Sequence, residues 1–170
     1  MEFAACEDGA GSSESASLLI GENRATDLAR MHTAEHLLTA VMRRLYDSPR
    51  NLEFHLGDKK TKCDYDVARP LGPDDGRAIE DAVNAEIARD HRVSVMHITR
   101  RDARHLDLWK VPPDAETIRV VSIGNVDATP CSGDHIAHTR EIGRFMLRSF
   151  EMRSPTIVRI RFGLDNLDTP

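Results

Sequence analysis

Residues 156–164 read TIVRIRFGL. Val158, Ile160 and Phe162 fall on one side of an extended chain and Arg159 and Arg161 on the other, as in a strand with one buried and one wet face. Working back from that strand, residues 142–151, 117–123 and 91–98 carry β-branched residues or alternation and are expected to be strands as well. Further upstream, 51–56 and 61–67 are two short β-like runs separated by Gly57-Asp58-Lys59-Lys60, where the polar Gly-Asp pair predicts a hairpin. Two helices complete the set. After the cap Thr26-Asp27, the residues Leu28, Met31, Leu38, Val41, Met42 and Leu45 recur at helical spacing until Asp47-Ser48-Pro49. Behind the break at 70–75, Ile79, Val83 and Ile87 fall four apart after an acidic first turn.

Helix, hairpin, helix and then several strands is too poor in helices for a doubly wound fold. The expected class is α+β, a two-layer sandwich in which a mainly antiparallel sheet is backed by helices. Residues 1–22 are rich in Gly, Ser, Ala and acids without periodicity and are expected to form a flexible arm, leaving 23–170 as the folded domain.

Composition narrows the function. The chain has 170 residues with 23 basic and 28 acidic side chains, a formal net charge of −5, which argues against non-specific wrapping of DNA but leaves room for a local basic face. Hydrophobic residues make up 40%, enough to bury a core, and no apolar run approaches the roughly 20 residues that span a bilayer. The first residues lack the basic-then-apolar order of a secretory signal, so no membrane partner and a cytoplasmic location are expected. In such a reducing compartment the three cysteines, Cys6, Cys63 and Cys131, are better suited to metal binding or nucleophilic chemistry than to a disulfide.

The first helix contains His32-Thr33-Ala34-Glu35-His36. Histidines four apart differ by about 40° in azimuth and one turn in height, so both imidazoles can reach one ion. Far downstream, Thr129-Pro130-Cys131-Ser132-Gly133-Asp134-His135 offers a thiol and an imidazole from a Pro- and Gly-containing turn. Three imidazole nitrogens and one thiolate suit tetrahedral Zn²⁺, which accepts both ligand types.

His32-x3-His36 followed by Leu37-Leu38, and Cys131-x-Gly133-x-His135 followed by Thr139-x-Glu141-Ile142-Gly143, resemble the editing domain of alanyl-tRNA synthetase, its free-standing AlaX-type relatives and the second additional domain of threonyl-tRNA synthetases. Phe54-His55-Leu56-Gly57 and Lys62-Cys63-Asp64-Tyr65-Asp66 look like that family's hairpin, and the resemblance covers residues 26–164. It implies a trans-editing deacylase that hydrolyses the ester joining a wrong amino acid, serine or glycine, to tRNA for alanine. It also implies a small α/β sandwich with an interstrand zinc-binding cleft and His32, His36, Cys131 and His135 as ligands. Two positions depart from the family pattern. Glu35 stands where synthetase-type members often carry Thr, and the familiar Cys-Gly-Gly-Thr-His loop reads Cys131-Ser132-Gly133-Asp134-His135.

Four protein ligands close a zinc site, so the ion is read as an organiser of the cleft and a separate group as the activator of water. Glu35, about 60° from His32 on the helix, is the candidate base, with a partner that orients a ligand imidazole as its alternative role. His55 is a candidate donor to the developing oxyanion. Asp134 can bind a ligand imidazole or cap its turn, and Ser132, Gly133 and Phe54 complete the candidate substrate pocket. For tRNA phosphates the candidates are Lys59, Lys60 and Lys62 on the hairpin and Arg140, Arg144 and Arg148, which would share one strand face by parity. Arg100, Arg101 and Arg104 form a third group, and Trp109 and Tyr65 are candidate stacking partners for a terminal adenine. Two rivals stay open. His32-x-x-Glu35-His36 also spells an inverted zinc-protease motif, with Glu80, Glu86 or Glu116 as a further ligand. The other rival is a non-catalytic tRNA-binding module with structural zinc.

Overall fold

The computed structural model describes residues 12–57 and 59–165, with the side chains of 12–23 excluded. In chain order the elements are α1 (Ser12–Tyr46), β1 (Asn51–His55), β2 (Thr61–Asp66), α2 (Asp75–Ala88), β3 (Val93–Thr99), a 3₁₀ turn (Asp102–His105), β4 (Thr117–Ile123), β5 (Asp127–Pro130), a second 3₁₀ turn (Thr139–Ile142), β6 (Phe145–Met152) and β7 (Ile157–Leu164). The class is α+β and every strand pairing is antiparallel, but the strands divide into two sheets. One has the order β1-β2-β7-β6 and the other β3-β4-β5.

The alternation in β7 plays out as its side chains dictate. Val158, Ile160 and Phe162 are fully buried, each worth about 1.5–3 kcal/mol relative to exposure. On the opposite face Arg159 grips Asp64 of β2 through Nε at 2.7 Å and Nη2 at 2.7 Å, and Arg161 reaches Glu151 of β6. The bidentate pairing holds the Asp64 carboxyl below the usual aspartate range. Against the buried face of this sheet pack Met31, Leu37, Leu38, Val41 and Met42 of α1 and Ile79 and Val83 of α2. A smaller core, Ala103, Ile118 and Val120, lies between the second sheet and the segment after β3, with Leu106, Leu108 and Val111 packed onto it.

Three expectations are corrected here. A single sheet becomes two because β3, β4 and β5 pair only with one another, and the four-residue β5, Asp-Ala-Thr-Pro, is a strand where its terminal proline made a turn the simpler reading. The segment expected as a strand at 91–98 starts at Val93. His91 instead folds back so that its Nε2 meets Glu86 at 3.1 Å. The first helix begins at Ser12 rather than near Thr26, since Glu14, Ala16, Leu18, Leu19 and Glu22 are good helix formers even without a periodic apolar stripe. The helical backbone therefore runs unbroken across the boundary expected after residue 22. Of the expected arm, residues 1–11 lie outside the described residues, Cys6 among them. Among the described residues no helix is long and apolar enough to cross a membrane.

Candidate functional site

The length of α1 matters because the helix touches both sheets. Its buried stripe faces β2 and β7, and the turn carrying His32 and His36 faces the end of β5. Cys131 follows β5 directly, and its amide donates to the Arg119 carbonyl of β4 at 3.1 Å. Arg119 returns the favour to the loop: Nη1 donates to the Cys131 carbonyl at 2.5 Å and to the Gly133 carbonyl at 3.0 Å. Gly133 passes so close to His32 that an added Cβ would overlap the imidazole ring, which explains why the turn needs glycine there.

The four expected ligands converge. Cys131 Sγ lies 3.4 Å from His32 Nε2 and 3.4 Å from His135 Nε2, and the ligating atoms of His32, His36, Cys131 and His135 all lie within 4.8 Å of one another. A tetrahedron with Zn–N and Zn–S bonds of ordinary length has edges of roughly 3.3–3.6 Å, which the two contacts of Cys131 already match. Burial would raise the Cys131 thiol, but hydrogen bonds from His135, His32 and His36 bring it down to about 3. The cluster is thus built around a thiolate whose natural complement is a cation.

Two residues outside the cluster fix how its imidazoles point. Asp127, almost fully buried on β5, meets His36 Nδ1 at 2.9 Å. Burial would raise that carboxyl, but the His36 hydrogen bond holds it below the usual aspartate range, so it accepts the Nδ1 proton and leaves Nε2 for the centre. Thr129 and Arg43 hold the carboxylate from its other sides. Burial would lower His36 itself, but bonds to Asp127 and Cys131 lift it to about 10. Thr33 does the equivalent for His135. Its hydroxyl proton goes to the Ala29 carbonyl at 2.8 Å, so its oxygen accepts from His135 Nδ1 at 3.1 Å. Neither role was read from the sequence, where Asp134 was the candidate partner; Asp134 is exposed instead. Strand parity was the available signal, since Asp127, Thr129 and Cys131 alternate along one extended run.

His32, His36 and Cys131 of the cluster line a cleft of about 850 Å³ whose walls also include Glu35, Phe54, Asn51, Arg119, Ser132 and Gly133. Phe54 stacks on His32 with ring centroids 5.5 Å apart. Glu35 is 5% exposed and accepts two bonds on Oε1, from Thr39 Oγ1 at 2.6 Å and Asn51 Nδ2 at 2.5 Å. Donor polarity along this chain is fixed from both ends. Lys110 Nζ can only donate, so it takes Asn51 Oδ1 at 2.7 Å and turns the Asn51 amide group toward Glu35. With its proton committed to Glu35, Thr39 accepts from the Tyr65 hydroxyl at 2.9 Å. Glu35 is the terminal acceptor, and its Oε2 takes part in neither bond.

Other candidates are not brought to the cleft. His55 is exposed on the outer face of β1, with Nδ1 3.7 Å from Glu53, because strand alternation that turns Phe54 inward turns His55 out. Tyr65 is completely buried and cannot stack a base. Lys59 and Lys60 lie in the hairpin turn and Lys62 on β2 opposite His55. The parity expected for Arg140, Arg144 and Arg148 fails, because Arg140 sits in the 3₁₀ turn, Arg144 precedes β6, and Arg148 occupies a bulge within it. Arg140 pairs with Asp90 at 3.2 Å, and Arg100 Nη1 holds the Pro112 and Ala115 carbonyls. The cations that do line the cleft are Arg43, Arg50, Lys110 and Arg119. None of Glu80, Glu86 and Glu116, the acids a protease site would need, lines the cleft; Glu80 accepts from the Leu147 amide and Glu86 binds Arg44 and Arg89.

Residues 118–161, which contain β4 to most of β7, match the threonyl and alanyl tRNA synthetase second additional domain. The chain is 34% identical over 135 residues to the alanyl-tRNA editing protein AlaX-L of Pyrococcus horikoshii, covering 78% of this chain and 33% of that protein. It is 32% identical over 121 residues to an alanine-tRNA ligase of Synechococcus sp., covering 69% of this chain and 14% of the ligase. A third relative, the alanine-tRNA ligase of Thermosynechococcus vestitus, is 31% identical over 121 residues, again covering 69% of this chain and 14% of the ligase. The chain thus spans a third or less of the length of these relatives. With the paired histidines of α1 meeting the Cys-x3-His loop, the chain carries an AlaX-type editing domain, of which residues 118–161 match the threonyl and alanyl tRNA synthetase second additional domain.

Proposed function

We propose that this chain is a zinc-dependent aminoacyl-tRNA deacylase that hydrolyses the ester joining serine or glycine to tRNA for alanine. The observation that carries the reading is the meeting of three imidazoles and one thiolate, of which His32, His36 and Cys131 share a single cleft with Glu35. The names of the relatives, an alanyl-tRNA editing protein and alanine-tRNA ligases, point to the same substrate class.

His32, His36, Cys131 and His135 would hold the zinc ion. Bound there, zinc would supply a Lewis acid able to polarise the ester carbonyl oxygen or to accept the lone pair of the neutral amino group. Glu35 acts as the base. Its carboxylate, kept as an acceptor by Thr39 and Asn51, takes a proton on Oε2 from the water whose oxygen forms a bond to the ester carbonyl carbon. As the tetrahedral adduct collapses, the bond to the ribose oxygen breaks and the same proton passes to that oxygen, so the products are a free amino acid and an intact tRNA end. Phe54 and the Ser132-Gly133 turn wall the pocket for the small side chain. Arg43, Arg50, Lys110 and Arg119 bring positive charge to the cleft, while Lys59, Lys60, Lys62, Arg140, Arg144 and Arg148 stand outside it, available to phosphates further along the acceptor stem. His55 has no part in the chemistry.

The test is to offer the purified protein serine and glycine esters of tRNA for alanine, with the correctly charged alanine ester and a peptide as controls. Release of serine or glycine that stops with Cys131→Ala supports the deacylase. Binding without release supports a non-catalytic tRNA-binding module, and peptide cleavage a protease.

A further inference from the structure

The chain's single tryptophan stands where a soluble domain would not ordinarily leave one. Trp109 is 52% exposed on the wall of the cleft, at the tip of a turn closed by the Val111 amide on the Leu108 carbonyl at 2.9 Å. Its flanking neighbours Leu108 and Val111 pack onto the small core of Ala103, Ile118 and Val120, so the turn is anchored while the indole is held out of that core. Two cations attend the ring: Arg50 Cζ at 5.2 Å and Lys110 Nζ at 5.4 Å from its centroid. Both are held by other groups as well, Arg50 by Asp107 at 2.8 Å and Lys110 by Asn51 at 2.7 Å. A half-exposed indole on a cleft wall with two cations within 5.4 Å of its centre offers a base a stacking surface and its phosphate positive charge.

Its position relative to Glu35 defines which nucleoside. Contacts of 2.5 Å from Glu35 to Asn51, 2.7 Å from Asn51 to Lys110 and 5.4 Å from Lys110 to the ring link the carboxylate to the indole through two side chains. The indole and the carboxylate thus line one cleft, so a base on the indole would belong to the nucleoside that carries the ester at Glu35. We infer that Trp109, Arg50 and Lys110 form the subsite for the 3′-terminal nucleoside of an acylated RNA, the indole stacking on the terminal base and the two cations meeting its 5′ phosphate. This rests on the deacylase reading for the identity of the acyl end, but the stacking itself can be measured without hydrolysis.

Because Trp109 is the sole tryptophan, its fluorescence reports on this ring alone. An unacylated RNA hexanucleotide ending in CCA should quench it saturably, whereas the same RNA with an abasic 3′ residue should not. Measured by anisotropy of a 5′-labelled RNA, Trp109→Ala should weaken binding roughly 5- to 150-fold, the range for losing one base–aromatic stack. Trp109→Phe should recover most of that loss, showing that the alanine variant did not simply unfold. Combining Trp109→Ala with the abasic RNA should add no further loss, since both remove the same contact. Equal affinity for intact and abasic RNA, or unchanged affinity on Trp109→Ala, overturns the subsite. Stacking in a protein that fails to release serine or glycine overturns the deacylase and leaves the subsite standing.

Discussion

Asp127→Asn is the most informative single change, because it alters the charge behind one ligand and almost nothing of its shape. The native carboxylate accepts the Nδ1 proton of His36 at 2.9 Å from a buried position and is itself held by Thr129 at 2.9 Å and Arg43 at 3.3 Å. An amide oxygen can still accept from Nδ1, so the imidazole keeps its tautomer. What is lost is the charge assistance, the difference between a bond of about 1.5–3 kcal/mol and one of about 0.5–1.5 kcal/mol. A loss of about 1–2 kcal/mol corresponds to zinc affinity falling roughly 5- to 30-fold, in line with the 10- to 100-fold typical of groups that orient metal ligands. Competition against a chromophoric chelator at fixed pH measures this directly, and thermal unfolding of the metal-free protein checks that the fold survives. Unchanged zinc affinity in a folded Asp127→Asn protein would refute the claim that this carboxylate orients His36.

Three further outcomes follow from particular contacts. Glu35→Gln should retain zinc and fold while slowing serine release from tRNA by about 10²-fold or more, and a normal single-turnover rate would remove Glu35 from the chemistry. Gly133→Ala pushes a methyl group into the His32 ring, so zinc content should drop with secondary structure intact, as read by metal analysis beside circular dichroism. Burial would raise the Glu86 carboxyl, yet hydrogen bonds from Arg44, His91 and Arg89 hold it below its ordinary value of 4.5. That stabilisation is complete above about pH 4.5 and disappears as the pH falls below it, so urea midpoints should decline there more steeply for the native protein than for Glu86→Gln, which is already about 1–3 kcal/mol weaker at neutral pH.

The parts of this molecule that were legible in its sequence are those in which one local period decides the outcome. Alternation in TIVRIRFGL announced β7 and its buried face, and histidines four apart on a helix announced half of the His/Cys cluster. The Cys131 and His135 half was legible because a turn can aim two ligands at one point. What escaped depends on partners far away in the chain. β5 is four residues ending in proline and becomes a strand only because β4 lies beside it. Asp127 acquires its role from a histidine 91 residues earlier, and the Lys110–Asn51–Glu35 chain joins three segments with no sequence relation. His55 shows the converse: a histidine next to a family motif looked catalytic, but the strand that turns Phe54 toward His32 necessarily turns its neighbour away.

The central claim is that two distant segments hold one zinc ion through three nitrogens and a sulfur. X-ray absorption at the zinc edge, together with metal analysis of protein purified without chelators, tests it most directly. One zinc per chain with a shell of one sulfur and three nitrogens, lost in Cys131→Ala, is expected. Protein that holds no stoichiometric metal, or a shell made only of oxygen and nitrogen in the native chain, would contradict it.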